Sequence, residues 1–440
     1  MTDGTVLRAV LGVLFPQAPG ARPDHRVRYL VLQAAAVCAG IVVLLPRIGG
    51  VPSWDSVYAE DQGEFLVDAL AHPWHLLVPF AGYEQLMPRL LGQLAAALPL
   101  PDAAVAFALA GAGAAALCAL FIFHAMDGWI GSGWLRALVG ASLILLPLAP
   151  IEIADNGVNS PWYALAALFF GLLWRPKGWA GMTAAALVAF AAASSEILAL
   201  IYAPLVLLRL VALPRWREHA VTAGWLAGLL VQVPVVVASY AQHTQRLGQL
   251  ATPFQALAFY LHNVALRAFG WHISLYLTRV TGLNGATVIV GAILVAGFGW
   301  ALVTGSRPVR VFTAVALIMG FAEAVFAATV VPYVVHQYPL VDFEGGSRYS
   351  AMPIMAMTAA ATVAADRAPR ELAATAALVC VLAIGWVTDY RYVTERMFWG
   401  RWAPEAHHML ALCQHSASGQ ITRWTWGGGT VELPCSRLHG

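Results

Sequence analysis

Long runs of apolar residues, separated by short polar segments, cover most of the chain. Each run approaches the roughly 20 residues that a helix needs to cross the hydrocarbon core of a bilayer. The runs are continuous rather than alternating, which excludes the pattern of a membrane β-barrel. The sequence therefore predicts an all-α, polytopic membrane protein of about 11 transmembrane helices, near residues 29–48, 101–124, 134–151, 161–175, 178–194, 196–213, 220–239, 283–303, 309–331, 349–364 and 371–389.

Basic residues of the short loops mark one side of this predicted bundle. Arg26 and Arg28 precede the first run, so the segment 1–28 is expected to be cytoplasmic. Alternation then places every short basic loop on the cytoplasmic side and leaves a tail, 390–440, outside. The transmembrane domain is 29–389, and its longer outer loops are 49–100, 240–282 and 332–348.

The composition indicates that much of the protein surface is in contact with lipid rather than water. Among 440 residues, 60% are hydrophobic and 11% are charged, against roughly a quarter charged in soluble domains. The net charge of +2 gives no reason to expect a nucleic-acid partner. Cys413 and Cys435 follow the last apolar run and are expected to form a disulfide if the tail is extracytoplasmic.

The first outer loop carries the densest group of acidic residues. Two interfacial helices are predicted in it, near 62–72 and 84–98, and the second contains Arg89. Glu60 and Asp61 are adjacent, and neighbouring carboxylates raise one another's proton affinity. Such a pair can act as a general base or bind a divalent cation. The acidic residues of this loop are Asp55, Glu60, Asp61, Glu64, Asp68 and Glu84.

A second polar element lies where the chain re-enters the membrane after the outer loop 332–348. Arg348 and Tyr349 follow two glycines there, and His336 lies earlier in the loop. The planar guanidinium group matches the geometry of a phosphate, so Arg348 is a candidate anion ligand. The alternative is that Arg348 and Tyr349 only anchor a helix end at the interface.

Carboxylates also occur at membrane depth. Glu323 lies inside the ninth predicted helix, where an ionisable side chain is costly and normally faces a cavity or a partner. Glu323 therefore predicts an internal polar pocket, or a hydrogen bond between helices without a ligand. A polar outer turn could line the same cavity with Glu152, Asp155, Asn156 and Asn159.

Three features together resemble the polytopic GT-C glycosyltransferases, in particular actinobacterial membrane proteins of this kind. They are the basic N-terminal end with one helix, the acidic first loop carrying VYAED, and the later GGSRYSAMP segment. The resemblance implies an inverting hexosyl- or pentosyltransferase that uses a polyprenyl-phosphate-linked sugar on the outer face of a bacterial inner membrane. Asp61, with Glu60 next, would be the catalytic base, and Arg348 would hold the lipid phosphate.

On this interpretation the acceptor is a cell-envelope glycan, lipid or protein, and membrane lipid is a further partner. No DxD motif occurs, so no metal-binding residues are predicted, although a divalent cation fits the carboxylate pair. Candidate substrate-binding residues are Arg348, Tyr349, Asp55, Glu323, His336 and Arg89.

Two other functions remain open from the sequence. A lipid or polysaccharide-precursor transporter or flippase would place Glu323 on the substrate path, although the sequence lacks the matched halves typical of transporters. A membrane acyltransferase would need a histidine base, for which His72, His75 and His336 are candidates.

Overall fold

The apolar runs fold into helices in the computed structural model, which describes residues 12–17, 26–243, 252–330, 347–393, 400–424 and 430–438. In chain order the α-helices are Arg26–Leu44 (α1), Val67–Ala71 (α2), Leu86–Ala96 (α3), Ala103–Ala125 (α4), Gly133–Ile144 (α5), Ala149–Glu152 (α6), Ser160–Leu173 (α7), Trp179–Ser195 (α8), Ala203–Ala212 (α9), Ala220–His243 (α10), Pro253–Phe259 (α11), Trp271–Thr304 (α12), Arg307–Val330 (α13), Arg348–Asp366 (α14), Glu371–Thr388 (α15) and Trp402–His415 (α16). The described residues also form four short strands: Ile48–Gly49 (β1), Tyr392–Val393 (β2), Gln420–Trp424 (β3) and Thr430–Pro434 (β4).

The all-α membrane class predicted from the sequence is confirmed. Within the described chain, seven helical stretches are long and apolar enough to cross a membrane, and they contain α1, α4, α5, α10, α12, α13 and α15. The faces of α1 and α15 are almost entirely exposed and apolar, with 6% and 11% of their most apolar windows buried. Surfaces of this kind are surrounded by lipid in membrane proteins, because large apolar patches are rarely exposed to water.

Helix boundaries depart from the predicted ones where proline and glycine intervene. The first helix ends at Leu44, because Pro46 starts a tight 3₁₀ turn over Leu45–Arg47. The stretch Trp271–Thr304 consists of two helices that meet at Gly282, whose φ of 72° is not helical, so one helix begins after Gly282 as predicted and another, from Trp271, precedes it. Much of the predicted outer loop 240–282 is therefore helical.

Charged loops gather at opposite ends of the bundle. At one end, Arg136 pairs with Asp127 and Arg175 pairs with Glu218. Arg367 donates to the carbonyl oxygen of Trp129 at the same end, at 2.9 Å. These are residues that the sequence places in cytoplasmic loops, so the structure brings the basic loops together. Their orientation relative to the cell remains a prediction.

The first loop and the tail pack together at the other end. Buried apolar side chains of the two segments form one cluster, including Leu66, Val67, Leu70, Trp402, Met409 and Leu433. Strand β1 pairs in parallel with β2, and Arg47 is fully buried between the two segments. Its guanidinium donates to the carbonyl oxygens of Ile144, Leu146, Asp389 and Tyr390.

The tail is a small unit built on α16. Strands β3 and β4 form an antiparallel hairpin beside this helix, and a disulfide joins Cys413 to Cys435 across 22 residues of sequence. The indole nitrogen of Trp402 donates to the carbonyl oxygen of Leu100 at 2.7 Å, which fixes the start of α16 against the first loop.

Candidate functional site

Asp61 lies at the start of a π-helical turn, Asp61–Leu66, and its side chain is completely buried. The two carboxylate oxygens accept hydrogen bonds from the backbone amides of Gly157 and Val158, each at 2.7 Å. A Cβ at position 157 would lie 2.8 Å from Asp61 Oδ1, so only glycine permits this approach. Asp61 therefore joins the first loop to the turn before α7.

Glu60 is half-buried beside this contact. Its Oε2 atom is buried and has no hydrogen-bond partner within the described part of the chain. Burial raises the pKa of the Glu60 carboxyl above its usual value, the positive charge of Arg348 partly opposes this, and Glu152 adds to it. A carboxylate with an available oxygen and a raised pKa suits a general base.

Arg348 is the first residue of α14 and lies against the turn that follows α6. Its Nη1 atom is 3.1 Å from Glu152 Oε1 and 3.4 Å from Asn159 Oδ1. Glu152 Oε2 also accepts from the Arg348 backbone amide at 3.2 Å and from Ser347 Oγ at 3.3 Å. The one carboxylate therefore both caps the helix and orients the guanidinium.

Side-chain hydrogen bonds stabilise the turn that follows Glu152. Asn156 Nδ2 and Asn159 Nδ2 both donate to the Glu152 carbonyl oxygen, at 2.7 and 2.9 Å. Asp155 adopts a φ of 55°, a left-handed conformation that aspartate tolerates better than most residues. This polar turn is the one expected from the sequence to line a cavity, and it contacts Arg348 through Glu152 and Asn159.

Tyr349 contacts both an aromatic ring and the Arg348 guanidinium. Its ring meets Trp162 edge to face with centroids 5.0 Å apart, and the Arg348 guanidinium lies 5.3 Å from the Tyr349 ring centroid. Tyr349 is 5% exposed. The Tyr349 ring therefore helps to hold the Arg348 side chain in place.

Glu323 lies deeper in the bundle, on α13. It is completely buried, and the Tyr202 hydroxyl donates to its Oε2 atom at 2.9 Å. Glu196, at the break after α8, is also buried, and its Oε1 atom accepts from the backbone amide of Leu198 at 3.4 Å. Glu323 therefore forms a hydrogen bond between helical segments, one of the two alternatives that the sequence left open.

Other predicted site residues lie elsewhere. Asp55 pairs with Arg401 of the tail at 3.4 Å, beside a cavity of about 530 Å³. Arg89 is 2% exposed and donates to Asp68 Oδ2 at 2.7 Å and to the Val78 carbonyl oxygen at 2.8 Å. His336 lies outside the described residues. The cavity beside Asp55 is lined by Val57, Gln62, Gly400, Arg401, Trp402, Pro404 and Glu405.

Glu84 is a buried acid whose environment the sequence did not reveal. Neither carboxylate oxygen has a hydrogen-bond partner within the described chain, and Oε1 is 3.7 Å from Arg89 Nε. The backbone of Glu84 is fixed by Gln232 of α10, which accepts from its amide at 2.6 Å and donates to its carbonyl oxygen at 3.0 Å. Burial raises the pKa of Glu84 to about 7, although Arg89 opposes the shift.

Replacing Glu84 with glutamine should stabilise the protein at pH 8 and leave its stability at pH 5 nearly unchanged. A carboxyl group with a raised pKa in the folded state contributes full stability below its unfolded pKa, near 4.5, and loses it as the pH rises through about 7. Glutamine removes the cost of the buried charge, which is on the order of 1–3 kcal/mol. The apparent Tm of the purified protein, measured from pH 5 to pH 8, tests this difference.

The matched control is Glu371→Gln, which changes an exposed carboxylate at the start of α15. It should leave the pH dependence of the apparent Tm as it is in the wild type. Equal Tm changes for the Glu84 variant at both pH values would contradict a buried charge at this position.

The chain was compared with family models, with curated proteins and with solved structures. No family model matches the chain, and no curated protein matches it. Among solved structures it is similar to the crystal structure of ArnT from Cupriavidus metallidurans in the apo state, with 14% sequence identity and a TM-score of 0.43. The alignment covers 89% of this chain and 64% of that chain, so the chain spans less than two thirds of that protein's length.

Proposed function

We propose that the protein is a membrane glycosyltransferase of the GT-C type, which moves a sugar from a polyprenyl-phosphate donor to a cell-envelope acceptor on the outer face. The observation that carries the proposal is the charge interaction between two half-buried groups, the Glu60 carboxyl and the Arg348 guanidinium. A carboxyl with an unpartnered oxygen lies within the electrostatic influence of a guanidinium at a helix start. The resemblance seen in the sequence implies Arg348 as the phosphate ligand and Asp61, with Glu60 next, as the base.

The reaction follows from these two groups. Glu60 takes the proton of an acceptor hydroxyl as the hydroxyl oxygen attacks the anomeric carbon of the donor sugar. The bond between the anomeric carbon and the phosphate oxygen breaks, and the polyprenyl phosphate leaves with the bonding electrons. Arg348 stabilises the charge that develops on the leaving phosphate. Attack opposite the leaving group inverts the anomeric configuration.

The roles of the two neighbouring acids differ in this proposal. Both Asp61 oxygens accept backbone hydrogen bonds inside a sealed contact, so Asp61 acts as a positioning residue. Glu60, with its unpartnered oxygen, acts as the base. The sequence favoured Asp61 over Glu60, and the local geometry supports the opposite order.

A divalent cation at Glu60 receives no support from the described residues. Within that part of the chain, three side chains able to hold a metal come together at Asp68, His72 and His75, and not around Glu60. The raised pKa of Glu60 means that this carboxyl binds a proton more readily, and the proton neutralises its negative charge beside Glu152 without a metal ion.

The test of the function is turnover of a polyprenyl-phosphate sugar by the full chain in lipid nanodiscs, with release of polyprenyl phosphate as the readout. Arg348→Gln is expected to weaken the binding of polyprenyl monophosphate by about 10–100-fold, because charge-assisted hydrogen bonds contribute roughly 1.5–3 kcal/mol. Binding can be measured by native mass spectrometry. Arg310→Gln, an exposed arginine near the start of α13, is the control and should bind as the wild type does.

Transport of a lipid-linked precursor is the second candidate, and the complete burial of Glu323 favours it. Unchanged lipid-phosphate binding by Arg348→Gln would contradict the transferase proposal. Loss of activity in Glu323→Gln, with full activity in Glu60→Gln, would favour transport instead.

A further inference from the structure

A cluster of metal-binding side chains lies at the end of the interfacial helix of the first loop, apart from the Glu60 and Arg348 group. Asp68, on α2, is followed by His72 and His75, and one donor atom of each lies within 4.8 Å of the others. His72 Nδ1 is 3.3 Å from Asp68 Oδ1. Asp68 is eight residues beyond Glu60 along the same helical segment, which is about 12 Å at 1.5 Å per residue.

We propose that Asp68, His72 and His75 form a zinc site that fixes this turn of the first loop. The proposal goes beyond the transferase function and stands independently of it. Two imidazoles and one carboxylate are a donor set that suits zinc and leaves a fourth position for water or another oxygen ligand. Calcium and magnesium prefer oxygen ligands throughout, which this cluster does not provide.

A hydrogen bond to its second oxygen orients the Asp68 carboxylate, as is usual for metal ligands. Asp68 Oδ2 accepts from Arg89 Nη1 at 2.7 Å, which leaves Oδ1 on the side of the histidines. Arg89 is itself held by the Val78 carbonyl oxygen and lies over the Phe65 ring at 5.7 Å. Outer partners of this kind fix the direction of a ligand and commonly change metal affinity by 10–100-fold.

The backbone between the two histidines is strained in a way that brings them together. The His75 amide donates to the His72 carbonyl oxygen at 3.2 Å, with Pro73 second in the turn and Trp74 third at a φ of 64°. This is a type II turn, whose third position normally requires glycine or asparagine. A tryptophan there costs on the order of 1–3 kcal/mol, so the surrounding structure must maintain it.

Small side-chain movements are enough to complete the site. Tetrahedral zinc ligands lie about 3.3 Å apart, given metal–ligand distances near 2.0–2.1 Å. The donors are already within 4.8 Å, the imidazole rings are 5.8 Å apart between centroids, and both histidines are exposed at the surface. Rotation about their side-chain bonds brings the nitrogens into range without moving the backbone.

The experiment is zinc analysis of the full-length protein, purified in detergent with a tag that contains no histidine. After dialysis against zinc-containing and then zinc-free buffer, one equivalent of zinc is expected in the wild type by elemental mass spectrometry. His72→Asn and His75→Asn should each lose it. The control is the double variant His407→Asn/His408→Asn, two exposed histidines of α16, which should keep one equivalent.

Cobalt substitution separates loss of the site from loss of the fold. The wild type should show the visible absorption of tetrahedral cobalt, and the two site variants should lack it while keeping the apparent Tm that the wild type has without zinc. Absence of stoichiometric zinc from the wild type, or its retention in either His72→Asn or His75→Asn, would overturn the proposal.

Discussion

Glu60→Gln should lower the turnover of a polyprenyl-phosphate sugar by about 10²–10⁴-fold, the usual contribution of a general base, while donor binding changes little. Glutamine has nearly the shape of glutamate but cannot accept the proton of an acceptor hydroxyl. The side chain is half-buried and its Oε2 atom has no hydrogen-bond partner within the described chain, so the fold depends little on its charge. A loss in kcat with unchanged apparent Tm is therefore the expected combination.

Glu64→Gln is the matched control for this prediction. Glu64 lies one turn further along the same segment, is also half-buried, and has a pKa raised by burial, with Arg89 opposing the shift. Its charge influences Arg89 rather than Arg348, so turnover should remain near the wild-type value. Full turnover by Glu60→Gln would remove Glu60 from the role of base.

The pH dependence of turnover gives a second measurement on Glu60. A base must be deprotonated, so activity should rise with pH through the pKa of Glu60, which burial places above the usual value of 4.5. Arg348 lowers this pKa, so its replacement by glutamine should move the acid limb of the profile to higher pH. A limb that stays in place would mean that another group is the base.

The sequence could predict helices but not all of their boundaries. Hydrophobic run length is a property of the local sequence, and it located helices at each of the predicted spans. Pro46 changed the end of the first of them, since proline removes a backbone donor. The helix from Trp271 to the positive φ of Gly282 lay in a predicted loop. These effects depend on a few residues and are averaged out in a hydropathy window.

The arrangement of the acidic side chains could be predicted only in part. The turn at Glu152 was expected to line a cavity with Glu323, whereas in the structure Glu152 pairs with Arg348 at 3.1 Å. Asp55 and Arg89 were grouped with them because of loop membership, but each has a nearer partner of opposite charge. Ion pairing between distant segments depends on how the loops pack, which no local pattern records.

The distinction between Glu60 and Asp61 was also beyond the sequence. Adjacent residues on a helical turn point in different directions, and the π-helical turn at Asp61 shifts those directions further. Which acid meets the backbone amides near residue 157 is therefore a matter of tertiary structure. The sequence offered His72 and His75 only as candidate bases and not as one cluster, because their approach depends on the positive φ of Trp74.

Asp61→Asn should destabilise the whole fold, by about 3 kcal/mol or more. The carboxylate accepts two buried backbone hydrogen bonds of 2.7 Å, and hydrogen bonds to charged groups contribute roughly 1.5–3 kcal/mol each. Asparagine retains one acceptor oxygen and places an amide donor against the other backbone N–H. The expected result is a clear fall in apparent Tm, with activity lost as a consequence of the altered fold.

Gly157→Ala tests the same contact from the opposite side, because its Cβ would lie 2.8 Å from Asp61 Oδ1 and 2.9 Å from the Phe107 ring. It should lower the apparent Tm as Asp61→Asn does, and the double variant should cost less than the sum of the two, since they disrupt one contact. Asp102→Asn, an exposed acid just before α4, is the control with little effect. If Asp61→Asn lost turnover at an unchanged Tm, Asp61 rather than Glu60 would be the residue that acts on the substrate.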